Sequence, residues 1–359
     1  MVGLYMTLQM DKNKGYYIPL TSRLQSYNIG DCRLSLFSHL LQFYEMKYTP
    51  ADIMGYSSGL DFQIHKINTK HSLCFGVSGR AMEIEEEFAE IIGLKIEKRR
   101  AFLDDGIARS QCCEELISCI KNGRPIFASI DRFYLDYLKI KKAHMPFHAV
   151  ILNGYDIEKK SFWAVDSLVD DYVEIDREVM LDAMFATSTL KAEAVAEWFV
   201  VEKDTLTNVT KPTLKQILEK QCEKYHVGGG MQGNFVELIR FLKSMQKKMQ
   251  ENKNHQTYMK YQVAMLYNQI RDQDFEHYFY RNLYFSFLEN RLESREFQLM
   301  DEKHFLNLIN KDRRLWLKLS QQYTFGSDVK KRHIRKLIYY LEAILKVEDE
   351  IFSKLSICE

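Results

Sequence analysis

From residue 232 onward the apolar residues recur at intervals of three and four, a period that only amphipathic helices can bury on one face. In 232–251 they are Phe235, Leu238, Ile239, Leu242, Met245 and Met249; in 275–292, Phe275, Tyr278, Phe279, Leu283, Phe287 and Leu288; in 329–352, Ile334, Leu337, Ile338, Leu341, Leu345 and Phe352. Two further helices fit 257–271 and 302–321. Helices with one apolar face pack on each other, so this half predicts an all-helical bundle or lid. The chain of 359 residues holds only 16 Gly and 5 Pro, which excludes collagen-like and linker-rich architectures. Its 46% hydrophobic content is enough to offset the entropy of folding a core.

The first half has a different texture. Residues 32–47 carry Leu36, Leu40, Leu41, Phe43 and Tyr44 at helical spacing, with Asp31 placed as the N-cap. The stretch 55–62, GYSSGLDF, reads as a loop punctuated by glycine, 82–93 as a helix closed by Gly93, and 110–122 as a helix closed by Asn122-Gly123. The period then shortens. Residues 125–131, 148–156, 161–167 and 196–203 are β-branched or aromatic runs bounded by turn residues, and they read as strands. Helices followed by strands predict an α+β domain with an antiparallel sheet. The break near 204–212 predicts a first domain over 1–206 and an all-helical domain over 207–359; Gly228-Gly229-Gly230 is a second flexible point.

Other classes are excluded by what the sequence lacks. The N-terminal residues have no basic-then-apolar signal pattern, and no window approaches a membrane span. The seven cysteines are odd in number and show no C-x-x-C, which argues against a disulfide framework or a zinc site and for a cytoplasmic chain with reduced thiols. Net charge is +1, but it divides into −6 over 1–206 and +7 over 207–359. The basic half suits attraction to the acidic half or to an acidic partner.

Three residues of the first half have the chemistry of a nucleophilic site. Cys32 stands where a loop meets a helix N-terminus, whose dipole favours a thiolate. His148 opens a strand and supplies a base. Asp166 ends the next strand and can orient the imidazole. Helix-borne Cys, then strand-borne His, then Asp on the neighbouring strand is the papain-like order. The plain alternatives are a buried small cysteine, a core histidine and a turn aspartate.

The segments DCRLSLFSHLLQFYEMKYTPADIMGYSSGLDF (31–62), GRPIFASIDRFYLDYL (123–138) and FHAVILNGYDIEKKSFWAVDS (147–167) resemble, in order, the N-terminal domain of butirosin biosynthesis protein H and its relatives. The resemblance covers roughly 15–205. It implies a papain-like fold used for acyl transfer in antibiotic and other specialised-metabolite biosynthesis. It further implies Cys32 as nucleophile, His148 as base and Asp166 as orienting group. The acyl group would arrive on the phosphopantetheine thioester of an acyl carrier protein and leave on a small-molecule amine, with no cofactor held by the enzyme. Papain-like enzymes often carry an oxyanion-donating Gln six residues before the cysteine. Here Ser26 stands there, and Gln25, Asn28 and the Cys32 backbone N–H are the candidate donors. The charge of Asp31 would oppose a thiolate if it pointed inward.

Asp131, Tyr134 and Tyr137 form D-x-x-Y-x-x-Y after a strand. They read either as a pocket wall, with Asp131 binding a substrate amine, or as a turn that packs its tyrosines inward. Phe62, in the GLDF segment, joins them as a substrate-binding candidate. His144 lies four residues before His148, but Pro146 breaks the helix a metal pair would need, so no metal is expected. Cys112, Cys113 and Cys119 read as core. The basic run 330–336 reads as a solvated helix face or a docking site for an acidic carrier; no nucleic-acid module accompanies it. Surplus helical aromatics are compatible with a homodimer. The rival functions are a cysteine peptidase or amidase, using the same three residues, and a non-catalytic binding module.

Overall fold

The structure, a computed structural model, describes residues 15–20, 31–68, 73–103, 106–138, 144–187, 193–227, 230–251, 254–272, 278–322 and 329–356. The strands are β1 (Gly15–Tyr17), β2 (Leu60–Asn68), β3 (Leu73–Arg80), β4 (Ile96–Phe102), β5 (Ile126–Ile130), β6 (His148–Asp156), β7 (Ser161–Val165), β8 (Val173–Asp176) and β9 (Val195–Val201). The helices are α1 (Cys32–Phe43), α2 (Pro50–Tyr56), α3 (Ile84–Ile91), α4 (Gly106–Lys121), α5 (Arg177–Met184), α6 (Leu214–His226), α7 (Met231–Glu251), α8 (Asn254–Asp272), α9 (Arg281–Glu293), α10 (Glu302–Ser320) and α11 (Lys331–Leu355). An α+β arrangement with an antiparallel sheet and a helical C-terminal part is what the two hydrophobic periods predict. Among the described residues no helix is long and apolar enough to cross a membrane.

Contacts divide the chain into two compact units. The first holds residues 1–27, 32–50 and 92–210; the second holds 28–31, 51–91 and 211–359. The sequence reading cuts the chain once, near 206, whereas contacts group residues 28–31 and 51–91 with the C-terminal helices. The reason is the β2–β3 hairpin, whose backbone is completed by helical side chains. Gln221 Nε2 donates to the Leu60 carbonyl at 3.0 Å and Asn234 Nδ2 to the Phe62 carbonyl at 2.7 Å. GYSSGLDF is therefore not a single loop. Tyr56 closes α2 and Leu60 opens β2.

The first unit is a sheet ordered β4-β9-β5-β6-β7-β8, with β1 paired to the end of β6. All its pairings are antiparallel. Side chains alternate across it. Ile126, Ala128 and Ile130 of β5 pack with Val150, Leu152, Ala196, Trp198 and the α4 residues Cys112, Leu116 and Ile120. The intervening Phe127 stacks on Phe199 at 4.6 Å, and both meet the edge of Phe37 on α1. The outer strand β4 (IEKRRAF) lacks the apolar alternation that announces a strand. Its charges suit an edge, with Arg99 paired to Glu97 and Glu115.

The second unit is helical apart from the β2–β3 hairpin. Phe62 lies fully buried, stacked on Phe235 at 3.8 Å, and Trp316 stacks on Phe279 at 5.0 Å. Arg281, also fully buried, sits 4.7 Å from the Trp316 ring and pairs with Glu348 at 2.9 Å. On α11, Ile334, Leu337, Ile338, Leu341, Ile344 and Ile351 are buried, while Lys331, Arg332, Arg335 and Lys336 of the basic run are exposed.

Candidate active site

Helix α1 begins at Cys32 and buries Leu34, Phe37, Leu40 and Leu41. That apolar face seats it on β6 and β5. Seating fixes where the helix starts, and Cys32 is left half-buried there. Beside it, the Arg33 guanidinium lies 5.2 Å from the Phe127 ring and donates to Ser129 Oγ at 2.8 Å. His148 opens β6, following Phe147 in the left-handed region at φ 70°. Asp166 directly follows β7, which pairs antiparallel with β6, so the hairpin returns the carboxylate toward the start of β6.

The structure brings Cys32, His148 and Asp166 together. His148 Nε2 lies 2.9 Å from Asp166 Oδ2, and Cys32 bears on the same imidazole, helping to raise its pKa. With Nε2 committed to Asp166, Nδ1 is the nitrogen left for sulfur. Asp166 is fully buried, and both its oxygens are occupied. Tyr137 Oη donates to Oδ2 at 2.7 Å and the Leu168 N–H to Oδ1 at 2.9 Å.

Electrostatics favour an ion pair. Burial disfavours charge on His148, but Cys32 and Asp166 outweigh it and hold the imidazole at about 10, protonated at neutral pH. Burial likewise works against the Asp166 carboxylate, yet the bonds from His148, Tyr137 and Leu168 keep it below the ordinary range. Burial and the adjacent carboxylate push the Tyr137 phenol up, so it stays a donor. Burial drives Cys112 up to about 12 and also raises Cys113 and Cys119, in keeping with core cysteines.

The remaining candidates separate. Asp131 is buried and engaged with its own loop: Oδ1 accepts from the Phe133 and Met145 N–H groups, and Oδ2 lies 2.9 Å from His144 Nδ1. His144 stacks on Phe133 at 4.2 Å, with Tyr134 edge-on. Asp131 thus closes the segment that leads into His148. Tyr137 does more than line a wall, because it is a hydrogen-bond partner of Asp166. Phe62 is buried in the aromatic core of the second unit. Gln25, Asn28 and Ser26 lie outside the described residues. Among the described residues, no three His, Cys, Asp or Glu side chains are grouped to hold a metal ion.

Sequence reasoning missed the partners of Asp31. In the second unit, Arg80 Nε donates to Asp31 Oδ2 at 2.7 Å and Tyr280 Oη to the same oxygen at 2.8 Å. No local signal links residues 49 and 249 positions apart.

Residues 31–167 match the family model described as Butirosin biosynthesis protein H, N-terminal. The matched stretch opens one residue before Cys32 and ends one residue after Asp166, so it encloses all three site residues. No curated protein matches the chain. Over these residues the chain is similar to that family, whose name ties it to the biosynthesis of butirosin.

Proposed function

We propose that this chain is a cysteine-dependent acyltransferase of specialised-metabolite biosynthesis, built on a papain-like first unit. The observation that carries the reading is His148 held between the Cys32 thiol and the Asp166 carboxylate. A buried imidazolium beside a cysteine is the resting state of a nucleophilic thiolate.

The Cys32 thiolate attacks the carbonyl of an acyl thioester on a carrier protein. The tetrahedral intermediate expels the carrier thiolate, which takes a proton from the His148 imidazolium. An amine then attacks the Cys32 acyl-enzyme, gives its proton to His148 and releases the amide and the Cys32 thiolate. The Cys32 backbone N–H, in the first turn of α1, is free of an intrahelical partner by position and suits the oxyanion. One thioester replaces another in the first step, so no nucleotide is consumed. The family's antibiotic-biosynthetic name favours transfer over proteolysis.

The test is turnover of acyl thioesters with a panel of amines, followed as free thiol released and amide formed. Amide formation that is lost in Cys32→Ala supports the reading. Cleavage of peptides with no amide product would replace it with a cysteine amidase.

A further inference from the structure

We propose that Asp131 is a positioning residue for the base of the site: its carboxyl group ties the two ends of the β5–β6 connection together, and so holds in place both His148 and the Tyr137 bond to Asp166. The inference rests on His148 being the base of the proposed reaction. Asp131 directly follows β5, and Met145 stands three residues before His148, which opens β6. The two strands are antiparallel neighbours with Ile130 opposite His148, so the connection leaves and re-enters the sheet at one end. A long connection has many conformations unless its base is tied.

Asp131, 2% exposed, makes that tie. Oδ1 accepts from the Phe133 N–H at 3.0 Å and the Met145 N–H at 2.9 Å, and Oδ2 lies 2.9 Å from His144 Nδ1. The Arg132 N–H adds a bond to the Met145 carbonyl at 3.4 Å. The Asp131 N–H donates to the Ala183 carbonyl of α5 at 2.8 Å, which roots the residue in its unit. Burying a carboxyl group is costly unless its oxygens are bonded, and here both are.

Two short paths run from the tie to the His148–Asp166 pair. The first passes through Pro146 and Phe147. Proline fixes its own φ and restricts Met145 before it. Phe147 is held at φ 70°, in the left-handed region, which a bulky residue keeps only where its surroundings impose it. The link from the Met145 N–H to His148 is therefore stiff. The second path is the turn at 132–134, capped by the Asp131 side chain, which leads to Tyr137 and its 2.7 Å bond to Asp166 Oδ2. One carboxyl group thus steadies both sides of the His148–Asp166 bond.

The test joins two readouts on the full-length protein, with circular dichroism to report folding. Single-turnover acylation by an N-acetylcysteamine acyl thioester follows the chemistry. Low-field proton NMR follows the His148 Nε2 proton bonded to Asp166, assigned by its loss in His148→Gln. Asp131→Ala should lower the maximal acylation rate about tenfold, with the half-saturating thioester concentration unchanged, and should broaden or shift the His148 resonance. Asp131→Asn keeps an acceptor for the two backbone N–H groups and should recover most of both. A folded Asp131→Ala with the wild-type resonance overturns the positioning role, whatever its rate, and leaves the proposed function standing. If Asp131→Ala does not fold, His144→Ala decides: it removes the Oδ2 partner and the ring stacked on Phe133, and should give the same changes in smaller degree. An unchanged resonance in that variant overturns the proposal. A wild type that shows the resonance but is never acylated overturns the proposed function, and the resonance of the variants then decides the role of Asp131 by itself. A wild type without the resonance overturns the His148–Asp166 bond on which both rest.

Discussion

His148 Nε2 and Asp166 Oδ2 lie 2.9 Å apart in a pocket where Asp166 is fully buried and every carboxylate oxygen has a donor. The pair fixes the imidazole plane and leaves one nitrogen for Cys32. Replacing the carboxylate by an amide removes the charge but keeps the shape. Asp166→Asn is expected to lower the acylation rate at pH 7 by about 10²-fold. Single-turnover acylation by a simple thioester measures this, and an unchanged rate would remove Asp166 from the site.

Tyr137 acts through Asp166. Tyr137→Phe deletes one charge-assisted hydrogen bond to a buried carboxylate, at a cost of about 1–2 kcal/mol of stability. It should also raise the Asp166 pKa, so that acid unfolding begins at higher pH than in wild type. Urea unfolding at pH 7 and an acid titration followed by circular dichroism report both effects. A neutral result would return Tyr137 to the role of a wall residue.

The His148 pair makes stability depend on alkaline pH. In the unfolded chain a histidine titrates near 6.5; in the folded protein His148 is held at about 10. Its contribution is therefore complete below about pH 6.5 and is lost as pH rises toward about 10, by up to about 1.4 kcal/mol per unit. Asp166 has the opposite sign: its depressed pKa stabilises above the unfolded carboxylate range and is lost in acid. Thermal melts of wild type and His148→Gln between pH 6 and 10 should converge as pH rises. Parallel curves would contradict the assignment.

In the second unit, Asp312 is fully buried, and its carboxyl oxygens have no hydrogen-bond partner among the described residues. Burial, then the neighbouring Glu348, pushes its pKa well up, so the folded state prefers it protonated. An acid raised on folding loses stability as pH climbs from the unfolded value toward the folded one. Asp312→Asn cannot ionise, so wild type should lose stability relative to it by up to about 1.4 kcal/mol per pH unit in that window. Urea midpoints stepped upward from about pH 4, just above the unfolded carboxylate value, decide it; a gap between the two proteins that does not widen over the first pH units would rule this out.

The legible parts of the fold were those with strong local periodicity. β6 was read at 148–156, its observed bounds, because HAVILNGYD is apolar between turn residues. α3 and α4 end at Ile91 and Lys121, two residues before Gly93 and Gly123, and both glycines are in the left-handed region that closes a helix. β4 was missed because an edge strand carries charge where an inner strand carries Val or Ile. The β2–β3 hairpin was read in part as a loop, since its interior is completed by Gln221 and Asn234 from distant helices. The same holds for the site. Cys32, His148 and Asp166 were visible as residue types at the ends of readable elements. Tyr137's bond to Asp166 and the Arg80–Asp31–Tyr280 cluster were not, because only tertiary packing brings them together.

The central claim is that Cys32 carries the acyl group. Intact-protein mass spectrometry after mixing wild type with simple acyl thioesters tests it most directly, with Cys32→Ala as control. The account predicts a gain of one acyl mass, absent in Cys32→Ala and discharged on adding an amine. No gain in wild type, or an equal gain in Cys32→Ala, would contradict it.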